Sequence, residues 1–123
     1  KLEVFKPIKD REVKFFCYRK IIPLLPKEED FNLKFQIRKA GVSATANISE
    51  GYGRFHYQEG IQFYRISRGS LYELKDHFIT CFDLKYIDKN VYDEGLQLIE
   101  IAKRMLNGYI KFVKNQKQNS SGK

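Results

Sequence analysis

The amino-acid sequence predicts an all-α protein built as an up-down-up-down antiparallel four-helix bundle. In four long segments, apolar residues recur at steps of three and four, which is the period of an amphipathic helix. The connections between these segments are short, and short connections favour antiparallel neighbours. The strict alternation of apolar and polar residues that marks a half-buried strand does not compete with this pattern.

The first predicted helix spans about residues 8–22. Ile8, Phe15 and Ile22 recur at heptad spacing, so they share one face of a helix. Pro23 lacks the amide hydrogen that would continue the backbone hydrogen bonds. We therefore expect this helix to end just before Pro23.

The second predicted helix begins near Glu28, in an acidic cluster that suits the positive end of a helix dipole. Gly51 and Gly53 are expected to end it, because glycine adopts the left-handed conformation of a helix end without steric penalty. Its core-facing stripe consists of Leu33, Ile37, Ala40, Ala44 and Ile48. A second apolar side consists of Phe31, Phe35, Val42 and Ala46. Two apolar sides predict two sets of neighbours.

The third and fourth predicted helices are longer. Heptad-spaced apolar and aromatic residues predict one continuous helix over about residues 56–84. Asp88 or Asn90 can cap the fourth helix, because both side chains accept hydrogen bonds from the first free amides. Its apolar pattern continues to about Lys114.

We assign residues 1–114 to a single bundle domain. Residues 115–123 contain only polar residues and glycine, too little apolar surface to offset the entropy of ordering, so we expect a disordered tail. A chain of 123 residues is large enough to bury a core without metals or disulfides. Cys17 and Cys81 lie in apolar-periodic segments without metal-ligand spacing, which predicts buried free thiols.

The net charge of +8 is concentrated at the two ends of the chain. Residues 1–26 carry +4 and residues 88–123 carry +3. In an up-down bundle the first helix lies beside the fourth, so their outer ends meet. The lysines that would gather there are Lys1, Lys6, Lys9, Lys111, Lys114 and Lys117. Such a basic collar would bind RNA or DNA with salt-sensitive, sequence-indifferent affinity; alternatively, these lysines complement the helix dipole and confer solubility.

A specific motif follows the first helix. The motif consists of two parts, Leu25-Pro26-Lys27-Glu28-Glu29 and the run from Gln36 to Arg54. It closely resembles the corresponding motif of bacterial four-helix-bundle proteins that are encoded by intervening sequences in 23S ribosomal RNA genes. In that family the run resembles Gln-Leu-Arg-Arg-Ala-Ala-Val-Ser-x-Pro-Ala-Asn-Ile-Ala-Glu-Gly-x-Gly-Arg. Its later part is matched by Glu59, Gly69, Ser70, Glu73, Leu74 and the pair Tyr86-Ile87. The resemblance covers residues 23–87 well, and elsewhere it rests on the helical pattern.

The resemblance implies a homo-oligomer, commonly a five-fold ring. It also implies a distant relation to accessory proteins of diversity-generating retroelements, which bind nucleic acid and a reverse transcriptase. It implies no known reaction.

The sequence departs from the family pattern at a few positions. Thr45 stands where the family usually has proline, which should leave the second helix less kinked, and Gly41 replaces alanine. Ser67 and Arg68 occupy a normally apolar pair, and Lys85 replaces a glycine.

The polar residues of the matched motif are candidate site residues: Arg38, Lys39, Asn47, Glu50, Arg54, Ser70 and Glu73. We interpret the uncharged and acidic members as clamps between helices, because buried polar groups need hydrogen-bond partners. The cations either pair with carboxylates such as Glu50 or contact phosphate. Candidate contacts between subunits lie on the second apolar stripes, at Phe35, Val42, Phe63 and Ile66.

Catalysis and cofactor binding have little support in the sequence. His56 and His77 are widely separated, and no Cys-x-x-Cys or His-Glu-x-x-His spacing is present. We therefore predict a protein that is not an enzyme and has no cofactor or metal. No apolar stretch approaches the ~20 residues that a membrane span needs, and no secretory leader opens the chain, so we expect a cytoplasmic protein with no membrane partner.

These observations lead to two functional hypotheses. The first is a ring-shaped, pentameric homo-oligomer that acts as a low-specificity RNA- or DNA-binding protein or ribonucleoprotein adaptor. The alternative is a scaffold that binds a partner protein and has no nucleic-acid role.

Overall fold

The computed structural model describes residues 9–54 and 56–121, and the side chains as far as Gln116. It contains four α-helices: α1 (Asp10–Phe16), α2 (Leu33–Tyr52), α3 (Tyr57–Asp83) and α4 (Lys89–Ser121). No strand occurs within these ranges. The predicted all-α class with four packed helices is therefore confirmed, whereas the full up-down-up-down order stays a prediction.

The first helix changes its geometry before it ends. After α1 the chain continues as a π-helical turn over Cys17–Ile21, in which the amide of Ile22 donates to the carbonyl of Cys17. A 3-10 turn over Ile22–Leu24 follows. The predicted single helix over residues 8–22 is therefore wrong in its geometry, because the α-helical part ends at Phe16. Pro23 has no amide hydrogen to continue the π-helical pattern, and the next backbone bond, from the Leu25 amide to the Ile22 carbonyl at 3.2 Å, closes the 3-10 turn. Residue Ile8, the predicted start, lies outside the described residues.

The start of α2 near Glu28 was predicted wrongly. Lys27–Glu29 forms a separate 3-10 turn, and α2 begins at Leu33. Glu29 explains the difference, because its carboxylate accepts the Leu33 amide at 3.2 Å and the Tyr86 hydroxyl at 2.9 Å. The acidic side chain therefore stabilises the start of α2 from outside the helix and ties it to the segment after α3.

The core lies between all four helices. α2 packs on α3, α3 on α4, and α1 on both α2 and α4, so α1 faces α3 across the core. Fully buried side chains at its centre include Ile37, Leu71, Leu74, Phe78, Ile99 and Leu106. Cys17 and Cys81 are buried free thiols, as predicted.

α2 ends at Tyr52 with Gly53 as its cap, in the predicted place, but without a left-handed glycine. Gly53 has a φ of −82°, and no described glycine has a positive φ, so the predicted conformation is wrong. A Cβ atom on Gly51 would lie 2.5 Å from Tyr64 Cε1 and 2.9 Å from the Gly60 carbonyl oxygen. Glycine is needed at position 51 because α2 and α3 touch there.

The connection between α3 and α4 is closed by hydrogen bonds. The Tyr86 amide donates to the carbonyl of Cys81, and the Lys85 amide to that of Phe82, both at 2.9 Å. This pair of bonds is a Schellman motif, and Lys85 has a φ of 63° in it. Asp88 Oδ1 then accepts the Val91 amide at 2.9 Å, which confirms Asp88 as the cap of α4.

α4 continues to Ser121, so the helix end predicted near Lys114 is wrong. An established helix extends without a new nucleation step, and lysine and glutamine have favourable helix propensity. The assignment of residues 115–123 to a tail outside the domain stays a prediction. Within the described residues, no helix combines the length and apolar character of a membrane span.

Candidate functional site

A small polar cluster joins α2 to α3 at the motif residues. Ser70 Oγ on α3 donates to Ser43 Oγ on α2 at 2.9 Å. Asn47 Nδ2 donates to the Ser43 carbonyl at 2.8 Å and to its hydroxyl at 3.1 Å. Ser70 thus forms the predicted contact between helices, and Asn47 orients the hydroxyl that Ser70 meets.

Three charged motif residues instead form side-chain bonds to residues four positions away along the chain. Arg54 contacts Glu50 Oε1 at 2.8 Å, and its guanidinium lies 4.5 Å from the centre of the Phe63 ring. Glu73 Oε2 lies 3.1 Å from His77 Nε2. The predicted Arg54–Glu50 pair is therefore present, while the two carboxylates do not join different helices.

Arg38 and Lys39 complete the motif. Arg38 is half-buried, and Lys39 is exposed on α2. Neither forms a salt bridge with another described residue. Both remain candidates for phosphate contact.

The residues predicted to contact another subunit form apolar surface on the outer sides of α2 and α3. Phe35, Val42 and Ile66 are 49%, 45% and 51% exposed, and Phe63 is half-buried beneath Arg54. Gly69, which lies on α3 three residues after Ile66, has open space where a Cβ would be. In the single subunit this surface is uncovered.

The terminal lysines are only partly described. Lys1 and Lys6 lie outside the described residues, as does the side chain of Lys117. Lys9 pairs with Glu12 at 2.9 Å. Lys111 and Lys114 are exposed on α4. The predicted collar of six lysines therefore stays a prediction.

A cationic cluster that the sequence reading missed lies on the outer face of α1 and the turn after it. The Phe15 ring centre lies 5.2 Å from Arg11 Cζ, 5.0 Å from Arg19 Cζ and 5.9 Å from Lys14 Nζ. Burial, together with the charge of Arg11, lowers the pKa of Lys14. The sequence could have predicted this cluster, because Arg11, Phe15 and Arg19 are spaced four residues apart, which places them on one helix face.

A buried carboxyl group was also missed. Asp10 is 1% exposed, and its Oδ2 atom lies 2.5 Å from Ser67 Oγ. Burial raises the pKa of Asp10 to about 7, although the contact with Ser67 opposes that shift. Ser67 could have indicated a buried polar partner on another helix, because it stands at a position that the sequence motif normally fills with an apolar residue.

The histidines do not come together. His77 is half-buried beside Glu73, and His56 is exposed before the start of α3. Among the described side chains, no group of three or more His, Cys, Asp or Glu residues is arranged to hold a metal ion.

Comparison with known proteins identifies the family. A search of curated proteins found no significant match. The family model described as "23S rRNA-intervening sequence protein" matches residues 2–108, a range that contains the motif residues, the cationic cluster and the greater part of all four helices. The chain therefore belongs to the 23S rRNA-intervening sequence protein family.

Proposed function

We propose that this protein is a non-enzymatic homo-oligomer, ring-shaped and pentameric, that binds RNA or DNA with low specificity. The uncovered apolar surface of α2 and α3 carries the oligomeric part of the proposal. The basic surface carries the nucleic-acid part.

The apolar surface is costly for a lone subunit. Phe35, Val42 and Ile66 leave about half of each side chain in water. Burying such a side chain completely contributes about 1.5–3 kcal/mol, so covering the exposed half contributes ~0.7–1.5 kcal/mol each. Neighbouring copies that pack on this surface would recover that free energy.

Gly69 also supports an interface between subunits, because glycine allows close approach of a second backbone. Glycine inside an exposed helix costs about 1 kcal/mol relative to alanine, and outside its own helix backbone no described atom lies within 4 Å of the missing Cβ of Gly69. Gly108 on α4 has the same open space, but Gly69 lies one turn from the exposed Ile66 on α3. The described part of the subunit provides no reason for glycine there. A second backbone that approaches α3 closely would provide one.

The nucleic-acid part rests on charge and on the family. The chain has a net charge of +8, and a ring would repeat its basic surfaces several times. Each phosphate that they neutralise releases counterions, which gives salt-dependent affinity without base recognition. The family description refers to an intervening sequence of 23S rRNA, so RNA is the first nucleic acid to test. The relation to retroelement accessory proteins stays a prediction.

Multi-angle light scattering tests the oligomer. We expect the wild type to elute as a closed oligomer at micromolar concentration and the Val42→Asp/Ile66→Asp variant to elute as a folded monomer. Leu84→Asp is the matched control, because Leu84 is also 51% exposed but lies at the end of α3. A monomeric wild type would contradict the proposal.

A second candidate function is a scaffold for another protein. Phe31 is 91% exposed and Leu24 is 50% exposed, and both lie in the connection between α1 and α2. An additional apolar surface of this kind favours a protein partner. Co-purification of a defined protein without nucleic acid, lost in Phe31→Ser, would support the scaffold over the nucleic-acid adaptor.

A further inference from the structure

The outer face of α1 gathers positive charge around one aromatic ring. Two guanidinium groups and one ammonium group surround Phe15, at 5.0–5.9 Å from its centre. Attraction between each cation and the ring holds the groups near one another. Like charges would otherwise separate on an exposed surface.

The positive charge of this cluster is not neutralised within the described residues. Arg11, Lys14 and Arg19 form no salt bridge there, whereas the neighbouring Lys9 pairs with Glu12 and Lys20 with Glu94. Burial and the nearby charge of Arg11 both lower the pKa of Lys14, so the cations of the cluster repel one another. An anionic ligand would relieve this repulsion on binding.

The cluster is accessible in the proposed oligomer. α1 packs on α2 and α4 and faces α3 across the core. A subunit of a closed ring contacts its two neighbours through two different surfaces. We place one on the outer side of α2 and the other on the outer side of α3, which leaves the outer face of α1 in solvent. Each copy would present the same cluster, so a closed ring would carry a repeated set.

The chemistry of the cluster fits nucleic acid better than an acidic protein. Guanidinium groups form paired hydrogen bonds with phosphate, and their planes stack on bases. Tyr18, which is 40% exposed and three residues from Phe15, adds a face for an unpaired base. A carboxylate-rich peptide would use the charge but neither of the stacking surfaces.

We propose that the cluster of Arg11, Lys14 and Arg19 around Phe15 is the contact surface for single-stranded nucleic acid, rather than the terminal lysines. Phe15 acts as a positioning residue that holds the two guanidinium groups for one strand. This inference rests on the proposed nucleic-acid function and names the surface that performs it.

The experiment measures fluorescence anisotropy of labelled single strands of RNA and DNA, about 20 nucleotides long and of the same mixed sequence, over a series of salt concentrations starting at about 50 mM. For Arg11→Gln/Arg19→Gln we expect at least tenfold weaker binding. The slope of log K against log salt should become shallower by about 1.4, because each lost phosphate contact removes about 0.7. The RNA and DNA arms show which strand is preferred.

Two further variants separate geometry from charge. Arg11→Lys/Arg19→Lys keeps the net charge but loses the planar groups, and we expect severalfold weaker binding. Phe15→Leu should also bind severalfold more weakly while its circular dichroism spectrum stays helical. The matched charge control is Lys20→Gln/Lys89→Gln, in which both lysines already have carboxylate partners, and we expect less than a twofold change.

The outcomes distinguish the two proposals. If Lys111→Gln/Lys114→Gln abolishes binding while Arg11→Gln/Arg19→Gln does not, the nucleic-acid function stands and this surface is wrong. Equal losses in the cluster variant and in the charge control would also overturn it, as would equal competition by poly-glutamate of matched charge. If the wild type binds neither strand at about 50 mM salt, the nucleic-acid function itself fails, whatever the light scattering shows.

Discussion

Ser67 Oγ lies 2.5 Å from Asp10 Oδ2 and 2.7 Å from the carbonyl oxygen of Ala44, which leaves one hydroxyl hydrogen for two contacts. The carbonyl oxygen can only accept, so Ser67 donates to it. The protonated form of Asp10, which burial favours, supplies the second hydrogen and donates to Ser67. In the ionised form Ser67 donates to the carboxylate instead, and this is the contact that opposes the rise in pKa. The neutral acid also explains why the other Asp10 oxygen is buried without a hydrogen-bond partner among residues 9–54 and 56–116, since an unpaired carboxylate charge there would cost far more.

This arrangement predicts that the bundle loses stability as the pH rises. The pKa of Asp10 is about 7 in the folded protein and 3.8 ordinarily, so the folded state holds a proton that the unfolded state releases. The contribution of protonated Asp10 to the free energy of unfolding is complete below about pH 4 and is lost as the pH rises through about 7. Between about pH 5 and pH 8 we expect Asp10 to account for a loss of about 3 kcal/mol in the free energy of unfolding, measured with urea.

Asp10→Asn is the direct test, because its amide can donate to Ser67 at every pH. Between about pH 5 and pH 8, the free energy of unfolding of Asp10→Asn should fall by about 3 kcal/mol less than that of the wild type. At about pH 8 the variant should therefore be more stable than the wild type. Ser67→Ala keeps the buried carboxyl group and should keep the pH dependence. Identical pH profiles for wild type and Asp10→Asn would show that Asp10 is ionised in the folded protein.

Lys85 makes the turn after α3 less stable than it can be. Its φ of 63° lies in the left-handed region, where a side chain costs about 1–2 kcal/mol and glycine costs nothing. We therefore expect Lys85→Gly to raise the free energy of unfolding by about 1 kcal/mol, after allowance for the greater freedom of glycine in the unfolded chain.

The control for this change is Lys85→Ala, which removes the charge but keeps a Cβ atom. Thermal or urea unfolding should place Lys85→Ala close to the wild type. If both variants stabilise the protein equally, the effect comes from the lysine charge and not from the backbone conformation.

The long helices were predictable because their periodic apolar residues fall on one side of each helix. The prediction of α3 over 56–84 agrees closely with Tyr57–Asp83, since the pattern runs without a break and Asp88 caps the next helix locally. Each of these signals depends only on residues within about a turn of one another.

The errors arose where distant residues decide the local structure. Glu29 stays outside α2 partly because Tyr86, far along the chain, donates to it. Gly51 looked like a helix cap, but it is required by the approach of Gly60 and Tyr64 from α3. The partner of Asp10 on α3 cannot be read from local periodicity, because an isolated aspartate near the start of a helix normally suits the helix dipole.

The α2–α3 contact predicts a severe effect of one added methyl group. Gly51→Ala would place its Cβ against the buried Tyr64 ring and the Gly60 carbonyl, so the two helices must separate. We expect a loss of about 1–3 kcal/mol in the free energy of unfolding.

Gly108→Ala is the matched control for Gly51→Ala. Gly108 lies in α4, and outside its own helix backbone no heavy atom of the described residues is within 4 Å of its Cβ position, so alanine should stabilise the helix by about 1 kcal/mol. Urea unfolding of both variants checks the pair of predictions. A neutral Gly51→Ala would mean that α2 and α3 can move apart without loss of packing.

The buried thiols predict that alkylation requires unfolding. Burial raises the pKa of Cys17 to about 12 and that of Cys81 to about 11, and the thiolate is the reactive form. At about pH 8 we expect iodoacetamide to modify neither cysteine in the folded protein over a time that fully labels both in denaturing urea. The added Ser49→Cys, at an exposed position of α2, is the positive control and should react readily in the folded state. Cys17 follows α1 and Cys81 lies in α3, so mass spectrometry of the two alkylated peptides also shows which helix opens first. Rapid modification of Cys17 alone would mean that α1 detaches while α3 stays packed.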